Sequence, residues 1–121
     1  VAAVYQQELG HCPLLTLPLE QSGAMHSYNQ YTLRVARGER AALQERLAAA
    51  GIPSRVYYPL ALHQQPAFAP LAGQVELPNA EAASREVLSL PMHTEMLPGE
   101  AAYIARIVRR CAEECALNPS L

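Results

Sequence analysis

Between Gln30 and Ala50 two hydrophobic periods stand back to back, and their order constrains the architecture more than any other feature of the chain. From Gln30 to Ala36 the residues alternate, with Tyr31, Leu33 and Val35 on one face and Gln30, Thr32 and Arg34 on the other, which is the pattern of a half-buried strand. From Gly38 to Ala50 the period becomes helical. Leu43, Leu47 and Ala50 share one side, Glu39, Arg40, Glu45 and Arg46 the other, and Gly51 stands where a left-handed residue stops a helix. A strand with one apolar face, followed at once by a helix with one apolar stripe, predicts a sheet covered by helices.

The remaining punctuation extends that picture. Ile52-Pro53 restarts the chain as extended structure, and Ser54 to Tyr57 reads as a short strand. Pro59, Pro66 and Pro70 break the next stretch into an irregular excursion with one helical turn near His63 to Phe68, and loops of that length are often functional. Pro78-Asn79 offers an N-cap to a helix carrying Ala80, Ala83 and Val87 and ending near Leu88, after which Leu88 to Met92 is a strand. Pro98 as a first helical residue, Glu100 near the positive end of the dipole and Arg106, Arg109 and Arg110 nearer the negative end predict a closing helix over Gly99 to Cys115. At the start, Val1, Val4, Tyr5 and Leu9 share a helical face, so residues 1–10 read as the end of a helix that begins upstream; residues 116–121 read as a frayed tail. The expected fold is an α/β (α+β) small domain over residues 1–121, with a three- to four-stranded, mostly antiparallel sheet and helices largely on one face. A parallel pairing of the segments before Gly38 and after Gly51, through a right-handed crossover, stays open.

Composition narrows the function. The eleven acids are all glutamate and the nine bases all arginine, with no lysine and no aspartate, and a net charge of −2 gives no case for nucleic acid or an anionic membrane. No apolar run approaches the ~18 residues that span a bilayer, and no signal-peptide pattern opens the chain, so the expectation is a soluble, cytoplasmic protein. Cys12, Cys111 and Cys115 are too few and wrongly spaced for a disulfide framework or a zinc site; Cys111 and Cys115, four apart on the closing helix, read as buried thiols. His11 beside Cys12 has no second cluster to complete a metal site, and phosphate-cradling glycine motifs and the serine-hydrolase elbow are missing.

The candidate binding residues cluster where a strand leaves the sheet. Tyr57, Tyr58 and His63 put flat rings and polar tips into one short segment. His26 and Gln30 lie on one edge at the start of the first strand and form a second, weaker candidate, against the plainer reading of a capping histidine and a solvent-facing glutamine. His93 reads as structural.

Three stretches in this order, HSYNQYTLRV from His26, GIPSRVYYPLALHQQPAF from Gly51 and LPNAEAASREVLSLPMH from Leu77, resemble the carboxy-terminal part of the DegT/DnrJ/EryC1/StrS family of pyridoxal-phosphate sugar aminotransferases. The resemblance covers about Met25 to Arg110, and departs from the family where Tyr57 replaces a frequent histidine and Ala61 a frequent proline. It implies the small domain of a fold-type I enzyme. The intact enzyme would use pyridoxal phosphate, held as a Schiff base to a lysine in a large domain upstream, to move an amino group from glutamate to a nucleotide-linked keto-sugar, acting as a homodimer. Tyr57, Tyr58, His63, His26 and Gln30 would then contact substrate, with no catalytic, cofactor-binding or metal-binding residue in this part of the chain. Two alternatives share the same small domain: a stand-alone α/β binding or regulatory module, and a dehydratase of the family in which the lysine is replaced.

Overall fold

The computed structural model describes residues 1–73 and 75–119, in the order α1 (Ala2–Leu9), β1 (Leu15–Thr16), β2 (Tyr31–Val35), α2 (Arg40–Ala49), a 3₁₀ turn at Leu62–Gln64, α3 (Ala69–Ala72), α4 (Pro78–Glu86), β3 (Val87–Leu90) and α5 (Pro98–Leu117). The strands form one antiparallel sheet in the order β1-β2-β3. In β2 the alternation holds: Tyr31, Leu33 and Val35 are fully buried, whereas Arg34 is exposed. Tyr31 lies opposite Leu90 and Leu33 opposite Leu88, so the apolar side chains of β2 and β3 share a face. Tyr5 and Leu9 of α1, Leu43 and Leu47 of α2, and Ala101, Ala105, Val108, Cys111, Ala112 and Cys115 of α5 complete one core on that face. The α5 residues recur every three or four positions, as a helix packed along one stripe requires.

Helix α2 ends as its glycine predicts. Gly51 adopts φ 76°, its N–H donates to the Ala48 carbonyl and the Ile52 N–H to the Leu47 carbonyl, and Ile52 returns to the core beside Leu47. This is the Schellman arrangement. At α5, Pro98 takes the first helical position and the Glu100 carboxylate accepts the Leu97 N–H at 2.8 Å, satisfying one of the donors that a helix start leaves free.

Other boundaries differ from the sequence reading. The expected strand Ser54 to Tyr57 reduces to one antiparallel bridge, Arg55 with Ser89, because Pro53 and Pro59 hem it in and Tyr57 and Tyr58 turn out to solvent. The third strand is instead β1, whose two residues are too few to show a period. Asn79 is not the cap of α4: Leu77 is, with Pro78 in the first turn, and the helix stops at Glu86 so that Val87 can pair with Arg34. The strand ends at Leu90 because Pro91 has no N–H to donate. The closing helix is longer than expected, reaching Leu117; of the expected frayed tail, Ser120 and Leu121 lie outside the described residues.

The two readings of strand direction also meet here. Arg55 pairs with the edge of β3 opposite to β2, and both pairings are antiparallel, so the Arg55 segment runs in the same direction as β2 with β3 inserted between them. Ser89 spends both main-chain groups on Arg55, at 2.8 and 3.0 Å, which makes Thr32 and Ser89 a closely spaced, non-hydrogen-bonded pair; their hydroxyls meet at 2.8 Å. Cys12, Cys111 and Cys115 are buried free thiols, and burial raises the pKa of Cys111 and Cys115. Among the described residues, no helix is long and apolar enough to cross a membrane.

Neighbouring positions on β2 give a sharp test of this face assignment. Leu33→Ala empties a fully buried site and should cost about 2–5 kcal/mol. Arg34→Ala removes only a surface ion pair with Glu86 and should cost less than about 1 kcal/mol. Urea unfolding of both variants checks this; equal midpoints would contradict it.

Candidate functional site

The register of β2 against β3 decides which polar groups meet. With Tyr31 opposite Leu90, Asn29 and Gln30 come beside Pro91, Met92 and His93, just beyond the paired ends. The Arg55 bridge brings Pro53 and Tyr57 to the same place from the other side of β3. These residues line a cavity of about 260 Å³ whose walls also include Ser89. Two wider depressions adjoin it, one bounded by Gly99 and Tyr103 of α5 and one by Val1, Ser27 and Tyr28, and His93 lies on all three.

Of the residues singled out in the sequence, Gln30 and Tyr57 therefore share one cavity. His26 stands at the rim of the molecule in a stack of rings. It lies on Tyr28 with centroids 4.1 Å apart, Tyr28 lies on Tyr31 at 5.8 Å, and Tyr31 meets Tyr5 at 4.9 Å, so the run passes from solvent into the core. His26 Nδ1 accepts the Tyr28 N–H at 2.8 Å, which helps hold Tyr28 at φ 48°, a conformation a bulky side chain rarely adopts. At the inner end the Tyr5 hydroxyl donates to the Pro91 carbonyl at 2.7 Å. Burial pushes the Tyr5 phenol up to about 12, so this donor keeps its proton across the physiological range.

Tyr58 and His63 go elsewhere. Tyr58 is 72% exposed. His63, in the 3₁₀ turn, points to α4, where its Nε2 lies 3.0 Å from Glu81 Oε1; the same oxygen accepts the Leu77 N–H at 3.1 Å. First the Leu77 hydrogen bond and then His63 hold the Glu81 carboxyl below the usual glutamate range. His63 thereby ties the long excursion to α4, next to an apolar groove lined by Leu62, Phe68, Leu71 and Leu77.

Arg55, Asn29, Ser89 and His93, the last read from sequence as structural, are the polar cavity residues absent from the sequence-based candidates. One signal was available: Arg55 and His93 each stand two residues after a proline that interrupts extended structure. What no linear pattern carries is the bridge that closes Arg55 onto Ser89. Among the described residues, no group of three or more His, Cys, Asp or Glu is placed to hold a metal ion.

Sequence and fold both place the chain in a known family. The family model described as the DegT/DnrJ/EryC1/StrS aminotransferase family matches residues 1–109, and the chain belongs to that family. It is 44% identical over 92 residues to a pleiotropic regulatory protein of Geobacillus stearothermophilus, covering 75% of this chain and 24% of that one. It is 41% identical over 96 residues to a UDP-N-acetyl-3-dehydro-alpha-D-glucosamine 3-aminotransferase of Acidithiobacillus ferrooxidans, covering 79% of this chain and 25% of that one. The fold matches the crystal structure of DesV from S. venezuelae in complex with a ketimine intermediate, with a TM-score of 0.85 and 34% identity over 93% of this chain and 30% of that one. The chain thus spans about a quarter of the length of the two curated relatives.

The family's cofactor, pyridoxal phosphate, asks for an amine to form a Schiff base and an acid to face its ring nitrogen. The donor set of this chain does not fit it: there is no lysine, no aspartate, and no glutamate on the cavity that Gln30 and Tyr57 share.

The Glu81 contact predicts a pH dependence. A depressed folded-state pKa adds stability above the ordinary glutamate range, and that stability is lost as pH falls through the folded value. Wild-type chain should therefore lose an acid-dependent increment that Glu81→Gln lacks, read from thermal midpoints between about pH 3 and 6. Parallel midpoint curves would show that His63 and Leu77 do not hold the carboxylate.

Proposed function

We propose that this chain is the carboxy-terminal small domain of a cytoplasmic, homodimeric aminotransferase, dependent on pyridoxal phosphate, that transfers an amino group from glutamate to a nucleotide-linked keto-sugar for a surface polysaccharide or related glycoside. The observation that carries this reading is a family match over residues 1–109 in a chain that spans 24–30% of the three relatives named above. The relative from Acidithiobacillus ferrooxidans, named for amination of a UDP-linked keto-sugar, supports the substrate class. Lysine and its acidic partner would belong to a large domain upstream.

Within that enzyme the chain's own residues orient the large substrate. Gln30 and Tyr57 form part of the cleft wall; Tyr58, exposed beside them in sequence, offers a ring and a hydroxyl to an incoming sugar or base; His26 and Tyr28 present a stacked pair at the rim. His63 acts through the excursion it anchors, holding the segment after Tyr58 against α4. None of these groups is assigned a proton transfer.

The name of the Geobacillus stearothermophilus relative favours a second reading, a binding or regulatory module without catalysis. That relative is itself about four times the matched length.

Alone, the 121-residue chain should form no Schiff base that survives dialysis and should turn over no glutamate, since its sole primary amine is the α-amino group; a lasting aldimine band with turnover refutes this. In the intact enzyme, Tyr58→Phe and His63→Ala should slow the keto-sugar half-reaction by roughly 2- to 100-fold and spare the glutamate half-reaction. Cofactor absorbance, followed with glutamate first and keto-sugar second, separates the two. Equal loss of both steps would make this segment structural.

A further inference from the structure

Of the residues lining the cavity shared by Gln30 and Tyr57, Arg55 alone carries a permanent charge, and none is acidic. Its main chain is fixed by the two hydrogen bonds to Ser89, whose hydroxyl is in turn tied to Thr32, so the base of the side chain is anchored on a rigid floor. Five of the other eight arginines are engaged within the molecule: Arg34, Arg46, Arg109 and Arg110 face glutamates and Arg40 donates to the Ser84 carbonyl, while Arg37, Arg85 and Arg106 lie outside this cavity. Among the described residues Arg55 makes no ion pair, and it is exposed. Asn29, Gln30, Tyr57 and His93, whose side chains can each take part in hydrogen bonds, line the same cavity.

A planar guanidinium in a cavity lined by no carboxylate suits an oxyanion held by two parallel hydrogen bonds. We infer that Arg55 is the anchor for an anionic group of a substrate, a carboxylate or a phosphate, in this cavity. At about 260 Å³ the space is smaller than the roughly 300–1,000 Å³ of pockets that enclose a whole drug-sized ligand, so it receives one end of a substrate. The inference rests on reading this cavity as part of the substrate cleft. Two sources carry the chemistry: the diphosphate of the nucleotide and a carboxylate of the amino donor.

The test uses the intact enzyme that contains this chain. Calorimetric Kd values are measured for glutarate and for the tighter-binding of UDP and dTDP, on wild type, Arg55→Gln and Arg55→Lys. The expected result is a loss of roughly 10- to 100-fold for one probe in Arg55→Gln, as for a charge-assisted hydrogen bond, with the other probe within about twofold and partial recovery in Arg55→Lys. Loss for the nucleotide identifies the phosphate; loss for glutarate identifies the carboxylate. Unchanged affinity for both probes, or equal loss of both, overturns the inference, and Arg55→Lys decides the matter if the glutamine variant melts early. The probes need no turnover. A wild-type enzyme that binds them but transfers no amino group defeats the proposed function and leaves Arg55 standing. An active enzyme whose Arg55→Gln variant binds both probes normally defeats Arg55 alone, and a wild type that binds neither defeats both.

Discussion

Ser89 exchanges two main-chain hydrogen bonds with Arg55 and a side-chain hydrogen bond with Thr32, and this one residue joins β2, β3 and the Arg55 segment. Its neighbours Leu88 and Leu90 face the helices, so β3 closes the apolar core on one side while Ser89 satisfies polar groups on the other. The residue is almost wholly buried, and buried donors and acceptors left without partners cost more than the bonds themselves contribute. Arg55 is therefore held where the geometry of β3 demands, with Pro53 and Tyr57 carried alongside. The walls of the cavity are a by-product of how the sheet satisfies its own backbone.

Much of the fold was legible in the sequence because it depends on local chemistry. Gly51 marks a left-handed stop after an amphipathic helix, Pro98 opens another, and the alternation from Tyr31 to Val35 needs only the pleat of a strand. The misreadings share a cause. β1 has two residues, too few for a period, and Ser54 to Tyr57 has strand-like composition yet finds a partner only at Arg55. Whether a short segment becomes a strand is decided by neighbours far away in the chain.

The candidate site was legible to a lesser degree for the same reason. Residue chemistry drew notice to Tyr57, Tyr58 and His63 as one group, because they are close in sequence. The fold separates them: Tyr57 joins Gln30 and His93 across β3, and His63 turns away to Glu81. Proximity in the chain is a poor guide at a point where an extended segment gives way to an excursion, since successive side chains there leave in different directions. The partners of Tyr57 come instead from the ends of β2 and β3, and their meeting is fixed by register.

The hydroxyl of Tyr5 spans from α1 to the Pro91 carbonyl, on the residue that ends β3 and leads to Met92 and His93. A phenol ring is inflexible, so this link behaves as a strut of fixed length between a helix and the lip of the cavity. Proline on the far side gives little, its φ being locked. One hydrogen bond thereby fastens the first helix to a residue of the cavity wall eighty-six positions further along the chain.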